Sequence, residues 1–182
     1  AGLELGYGIE DIFRGLSSCV GAPGRFERVP HGGDFAVVVD YAHTDDALLN
    51  TLKTARELTD GRIITVFGCG GDRDRSKRKP MGVAAGENSD LVIVTSDNPR
   101  TEDPLSIIAE IEVGVKLTGT PYQVIDDRRR AIFQAISEAG ANDVVIIAGK
   151  GHESYQIVGA DKFHFGDREV AAEALAQLES ER

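Results

Sequence analysis

The feature that most restricts the fold of this 182-residue chain is a repeated alternation, in which short and almost unbroken apolar runs are separated by longer amphipathic segments. The runs are FAVVVDYA (35–42), RIITVFGC (62–69), DLVIVTS (90–96), YQVID (122–126) and DVVIIAG (143–149). Between them lie segments with apolar residues three and four apart. In TDDALLNTLKTARELT (44–59), Leu48, Leu52 and Ala55 share a face, Thr44 can cap the start, and Asp45 and Asp46 suit the positive end of a helix. Helices are also expected at 9–18, 77–88, 104–119, 127–140 and 167–180, and a hairpin at 154–166 around the tripeptide GAD. Strands that are apolar at nearly every position are covered on both faces. The alternation therefore predicts an α/β fold: an open, mostly parallel sheet with helices on both sides and a C-terminal hairpin.

In such a sheet the carboxyl ends of the parallel strands lie along one edge, where ligands bind. The polar clusters of this chain fall just after its strands. They are DYAHT (Asp40, Tyr41, His43), GCGGDRD (Gly70, Gly71, Asp72, Arg73), DNPR (Asp97, Asn98, Arg100) and AGKGHE (Gly149, Lys150, His152, Glu153). Each alone reads as an ordinary solvated turn. Four on one edge predict a site. Arg73 and Arg100 are forks suited to carboxylate or phosphate, Asp97 and Glu153 suit an ammonium group, and Asn98 can donate and accept. That set describes an amino acid with more than one charged end. A phosphate-cradling GxxxxGK[ST] loop is absent from the sequence.

Charge and cysteine usage narrow the partners. The formal net charge of −10 argues against nucleic acid, which wants a basic face. Cys19 and Cys69 have no CxxC spacing, so neither a disulfide framework nor a zinc site is expected, and a reducing cytoplasm fits. No apolar run approaches the ~20 residues of a membrane span.

The motifs DYAHT, GCGGDRD, DNPR and AGKGHE, in this order and spacing, resemble the C-terminal domain of the Mur ligases, and DNPR with GKGHE resembles the branch that adds meso-diaminopimelate. The resemblance runs from GRFE at Gly24 to FGDREVA near the end, and it implies a Rossmann-like domain over 24–182, with 1–23 as the tail of a central ATPase domain. It implies that the full-length enzyme uses ATP and Mg2+ to form an acyl phosphate on the D-glutamate of a UDP-N-acetylmuramoyl dipeptide, which the incoming amine attacks. By resemblance, Arg73, Asn98, Arg100, Gly149 and Glu153 contact diaminopimelate, with Asp97, Lys150 and His152 in support. Arg25, Asp40 and His43 reach the nucleotide. No catalytic or metal-ligating residue is expected within this chain, and by itself it is expected to be inactive. Its partners would be these small molecules and the enzyme's own N-terminal and central domains. The proline that usually follows DYAHT is Asp45 here, equally acceptable at a helix start. Other readings left open are a Mur ligase domain for another diamino acid such as lysine, a non-catalytic amino-acid or nucleotide module, and a purely structural domain.

DNPR is the expected specificity element. Diaminopimelate differs from lysine by one distal carboxylate, and an arginine fork rewards that group. Offered lysine, a buried arginine is left unpaired at a cost of roughly 2–5 kcal/mol. Pro99 stiffens the loop that carries the fork.

Overall fold

The computed structural model describes residues 4–17 and 21–181. Cys19 lies outside them. Helix α1 (Ile9–Ser17) precedes a short strand β1 (Glu27–Arg28) and strand β2 (Ala36–Asp40). There follow α2 (Asp45–Leu58), β3 (Ile63–Phe67), a 3-10 turn at Arg75–Lys77, α3 (Arg78–Asn88), β4 (Leu91–Val94), α4 (Pro104–Thr118) and β5 (Tyr122–Val124). The chain ends with α5 (Arg128–Glu138), β6 (Val144–Ala148), the hairpin strands β7 (Tyr155–Val158) and β8 (Asp161–His164), and α6 (Asp167–Ser180). All five apolar runs are strands. Not anticipated was β1, which adds an antiparallel edge to an otherwise parallel sheet.

Local chemistry accounts for the helix boundaries. The Thr44 hydroxyl accepts from the Ala47 amide at 3.2 Å, and Asp45 opens α2 as expected. Asp103 and Asp127 cap α4 and α5 by accepting from the Ser106 and Arg130 amides, each at 3.0 Å. Helix α4 stops at Gly119, which takes the left-handed conformation (φ 75°).

The six strands run in the order β1-β2-β6-β3-β4-β5. Ile146 of β6 lies beside Val38 of β2 on one side and Thr65 of β3 on the other. Val66 of β3 is opposite Ile93 of β4, which is opposite Gln123 of β5. Successive side chains go to opposite faces. Val38, Ile63, Val92, Val144 and Ile146 pack under α2, α3 and α4 with Leu48, Leu52, Met81 and Ile111. Val37, Ile64, Val66, Ile93, Val145 and Ile147 pack under α5 and α6 with Ile132, Ile136 and Leu175. Each fully buried aliphatic side chain contributes roughly 1.5–3 kcal/mol. Because β6 is inserted between β2 and β3, the loops that follow β2, β3, β4 and β6 stand side by side at one sheet edge.

Candidate functional site

At that edge lies a crevice of about 320 Å³ whose walls come from all four predicted clusters. The loop after β4 is its centre. Asp97 is nearly buried, and one carboxylate oxygen accepts from the Asn98 amide at 2.6 Å. The Asn98 side-chain oxygen takes two donors, the Ile157 amide at 2.9 Å and the Lys150 ammonium at 3.2 Å. Its amide nitrogen is thereby turned to Glu153, donating to Oε2 at 3.1 Å. Arg100 stands half-buried at a positive φ of 52°. Its Nη1 braces two loops, donating to the Gly71 carbonyl at 2.7 Å and the Asn98 carbonyl at 3.4 Å. The Nε–Nη2 edge makes no hydrogen bond within the described protein, so a two-pronged donor edge remains.

The loop after β3 packs directly on this one. Gly71 touches the Pro99 carbonyl, and a Cβ there would overlap it. Asp72, also at a φ of 52°, accepts from the Thr101 hydroxyl at 2.8 Å and its amide at 3.2 Å. The Asp72 amide donates to Glu102 at 2.7 Å, and Glu102 in turn pairs with the buried Arg78 at 2.8 Å. The hydrogen bond from Arg78, reinforced by the Asp72 amide, holds the Glu102 carboxyl down at about 2. This lattice leaves Arg73 exposed on the crevice wall, with no protein partner among the described residues.

After β6, Gly149 adopts a φ of 118°, which favours glycine, and a Cβ there would press on Asp97 Oδ2 at 3.0 Å. Lys150 is fully buried beneath the floor. Burial lowers its pKa, opposed chiefly by Asp97. After β2, Tyr41 and His43 line the crevice. Arg25 lies over the Tyr41 ring at 5.1 Å, and the exposed His152 ring is 5.3 Å from it, so both sit at the rim by Tyr41. Asp40 accepts from the Phe26 amide (2.7 Å), the Ala42 amide (2.8 Å) and the Thr51 hydroxyl (3.0 Å). At most one acceptor direction remains for a ligand.

The structure therefore brings Arg73, Asp97, Asn98, Arg100, Gly149, Glu153 and His43 onto one crevice. Arg100 differs from expectation in being half-buried rather than buried, because its loop tops the sheet instead of entering the core. Three groups were not expected at the site from the sequence. Cys69 and Lys77 also line the crevice, the Lys77 ammonium donating to the His43 carbonyl at 2.8 Å. Burial pushes the Cys69 thiol up to about 12, which removes it as a nucleophile. Beneath the floor, Arg128 and Asp167 form a fully buried two-pronged pair at 2.8 Å. Arg128 also donates to the Ala148 carbonyl at 2.9 Å and the Ser96 carbonyl at 3.4 Å, the last positions before Gly149 and Asp97. Nothing local in DRRR or GDRE marks that pairing across 39 positions.

The arrangement is a crevice of mixed charge. Among the described residues no group of three or more His, Cys, Asp or Glu could hold a metal ion. The Arg25–Tyr41–His43 rim offers a cationic and aromatic surface, with the Tyr41 and His43 rings packed edge to face. Among the described residues no helix is long and apolar enough to cross a membrane.

The family described as "Mur ligase, glutamate ligase domain" matches residues 24–151. A Solibacter usitatus protein named UDP-N-acetylmuramoyl-L-alanyl-D-glutamate–2,6-diaminopimelate ligase is 54% identical over 174 residues, 96% of this chain and 35% of its own length. A Syntrophomonas wolfei protein of the same name is 58% identical over 161 residues, 88% of this chain and 33% of its own. A solved structure of a ligase with that name superposes with a TM-score of 0.83 at 41% identity, covering 97% of this chain and 36% of that one. The chain thus spans about a third of the length of the relatives it matches.

Proposed function

This chain belongs to the Mur ligase family, whose glutamate ligase domain it carries, and we propose that it is the part of an ATP-dependent amide ligase that receives meso-diaminopimelate. The observation that carries this proposal is the grouping of two arginines, one amide and two acids around one crevice. The free edge of Arg100 takes the distal carboxylate. Asn98 Nδ2 and Arg73 offer donors to carboxylate oxygens, and Glu153 and Asp97 accept from ammonium. Held in this way, the diamino acid presents one neutral amine to the acyl phosphate of the D-glutamate carboxyl. The amine nitrogen bonds to the acyl carbon, phosphate leaves, and the amine gives up a proton. In that enzyme ATP supplies the phosphoryl group that activates the carboxyl, and the UDP-N-acetylmuramoyl dipeptide brings the carboxyl.

Arg25 and His43, with Tyr41, form the nucleotide's wall on this domain. Asp40 sets the turn beneath it and has one acceptor direction left for a ribose hydroxyl. His152 closes the rim, and Lys150 supports Asn98 from below. Magnesium ligands and the phosphate loop belong to the central domain. Residues 1–23 are that domain's tail, and both other domains are this one's partners. A reaction fed by ATP and UDP-linked precursors places the enzyme in the cytoplasm.

Arg100 argues against lysine as the natural amine. Leaving its free edge unpaired costs about 2 kcal/mol, the lower end of the range because Arg100 is half-buried. The test is steady-state kinetics of the complete ligase with meso-diaminopimelate and with L-lysine. We expect kcat/KM to favour diaminopimelate by roughly 30-fold or more. Equal use of both amines, or no amine-dependent turnover, overturns the proposal.

A further inference from the structure

The hairpin β7–β8 is hydrogen-bonded to no strand of the main sheet. Two strands alone are marginal in water, so the hairpin must be held elsewhere. Its contacts converge on the loop that carries Arg100. The Gln156 side-chain amide donates to the Asp97 carbonyl at 2.7 Å. The Ile157 amide donates to the Asn98 side-chain oxygen at 2.9 Å. The Arg100 amide donates to the Ile157 carbonyl at 3.1 Å, and the Gly159 amide donates to the Arg100 carbonyl at 2.7 Å. Arg100 thus forms a single parallel bridge with Val158. Four bonds stitch β7 and its turn along Asp97, Asn98 and Arg100, while every residue of β8 faces solvent.

Arg100 needs such a clamp. A non-glycine residue at positive φ is a minor conformer of a free loop and persists where surrounding structure over-determines it. Without the clamp, the extended conformer favoured by most residues would swing the guanidinium away from the crevice. The β7 bonds reach only the backbone and the Asn98 amide, leaving the Arg100 Nε–Nη2 edge open.

We propose that the β7–β8 hairpin is the strap that aims Arg100, with Gln156 as its positioning residue, so that selectivity for a dicarboxylic diamino acid depends on a segment outside the crevice. This rests on the diaminopimelate reading above. Gln156 acts through the loop and touches no substrate.

The experiment uses the complete ligase with Gln156→Met and Gln156→Glu, each removing the donor while keeping the length. Lys162→Ala is the control, since Lys162 lies over the Tyr155 ring on the solvent side of the hairpin. The two Gln156 variants should lower kcat/KM for meso-diaminopimelate by roughly 3- to 30-fold, the scale of one hydrogen bond. The preference over lysine should shrink with it, KM for ATP should stay within about twofold, and Lys162→Ala should behave as wild type. In an Arg100→Ala background the Gln156 substitutions should have little further effect, because the group they aim is gone. Equal losses with both amines and ATP, or full additivity with Arg100→Ala, overturn the strap. If wild-type ligase does not use diaminopimelate, the functional reading fails by itself. The strap is then judged by hydrogen exchange at the Arg100 amide, which must quicken in both Gln156 variants and not in Lys162→Ala; no change overturns it.

Discussion

Arg100 combines three properties that pull against one another: a charged fork, partial burial and a backbone conformation that its residue type disfavours. Their coexistence is what the proposed function demands, because a pre-aimed fork loses little freedom on binding. In the complete ligase, Arg100→Ala should lower kcat/KM for diaminopimelate by ~10- to 1000-fold while leaving KM for ATP almost unchanged. Arg100→Lys should recover only part, since an ammonium keeps the charge and loses the two-pronged geometry. A raised KM for ATP with intact diaminopimelate kinetics would move DNPR to the nucleotide side. Glu102, one turn further on, allows a pH test. Its carboxyl is depressed from 4.5 to about 2 by Arg78 and then by the Asp72 amide. A depressed carboxyl stabilises the fold above its ordinary pKa and loses that contribution as pH falls through the folded value. Urea midpoints measured against pH should therefore fall less steeply between pH 4.5 and about 2 in Glu102→Gln than in wild type. Depressed carboxyls at Asp90, Asp143 and Glu110 should preserve the remaining slope.

Elements meet at the buried pair. Arg128 opens α5, where a cation opposes the helix dipole, and Asp167 opens α6, where an acid suits it. Burial by itself would lower the Arg128 pKa, but the Asp167 charge and hydrogen bonds outweigh it and keep it raised. The pair joins the ends of β4 and β6 to the starts of two helices, so the floor of the crevice depends on it. Arg128→Met leaves a buried carboxylate and two carbonyls short of donors, and should cost roughly 3–5 kcal/mol in chemical denaturation. Adding Asp167→Leu should return part of that, because the unpaired charge is removed as well. A loss below about 1 kcal/mol would mean that water or a neighbour replaces the guanidinium.

At the scale of the whole molecule, an acidic surface of net charge −10 surrounds a crevice carrying Arg73, Lys77 and Arg100. The local cations suit an anionic group of a ligand, and the net charge disfavours polyanions such as nucleic acid. The 182-residue chain contains no GxxxxGK[ST] loop, and its described residues offer no metal cluster. On its own it should release no phosphate from ATP, with or without diaminopimelate, and should bind ATP with a dissociation constant well above micromolar. Phosphate-release assays and calorimetry check both. Turnover by the purified chain would place a phosphate site where none is foreseen.

Apolar patterning over five to eight residues reports burial directly, and each run therefore identified its own strand, as Thr44 identified the start of α2. Because parallel strands share a direction, the loops bearing Asp40, Arg73, Arg100 and Glu153 could be assigned to one edge before any coordinates. Strand order could not. That β6 lies between β2 and β3 follows from how two helical layers cover one sheet, a global packing choice that leaves no local mark. The same limit hid which polar residues face a ligand and which hold the frame: Asp40 is mostly spent on its own turn, and Lys150 lies under the floor. It also hid Arg128 with Asp167 and Gln156 with Asp97, partners 39 and 59 positions apart. Residue type made Arg100 a fork, but its backbone φ of 52°, against the intrinsic preference of a side chain with a Cβ, occurs where tertiary hydrogen bonds from the hairpin and from Asp72 meet its loop.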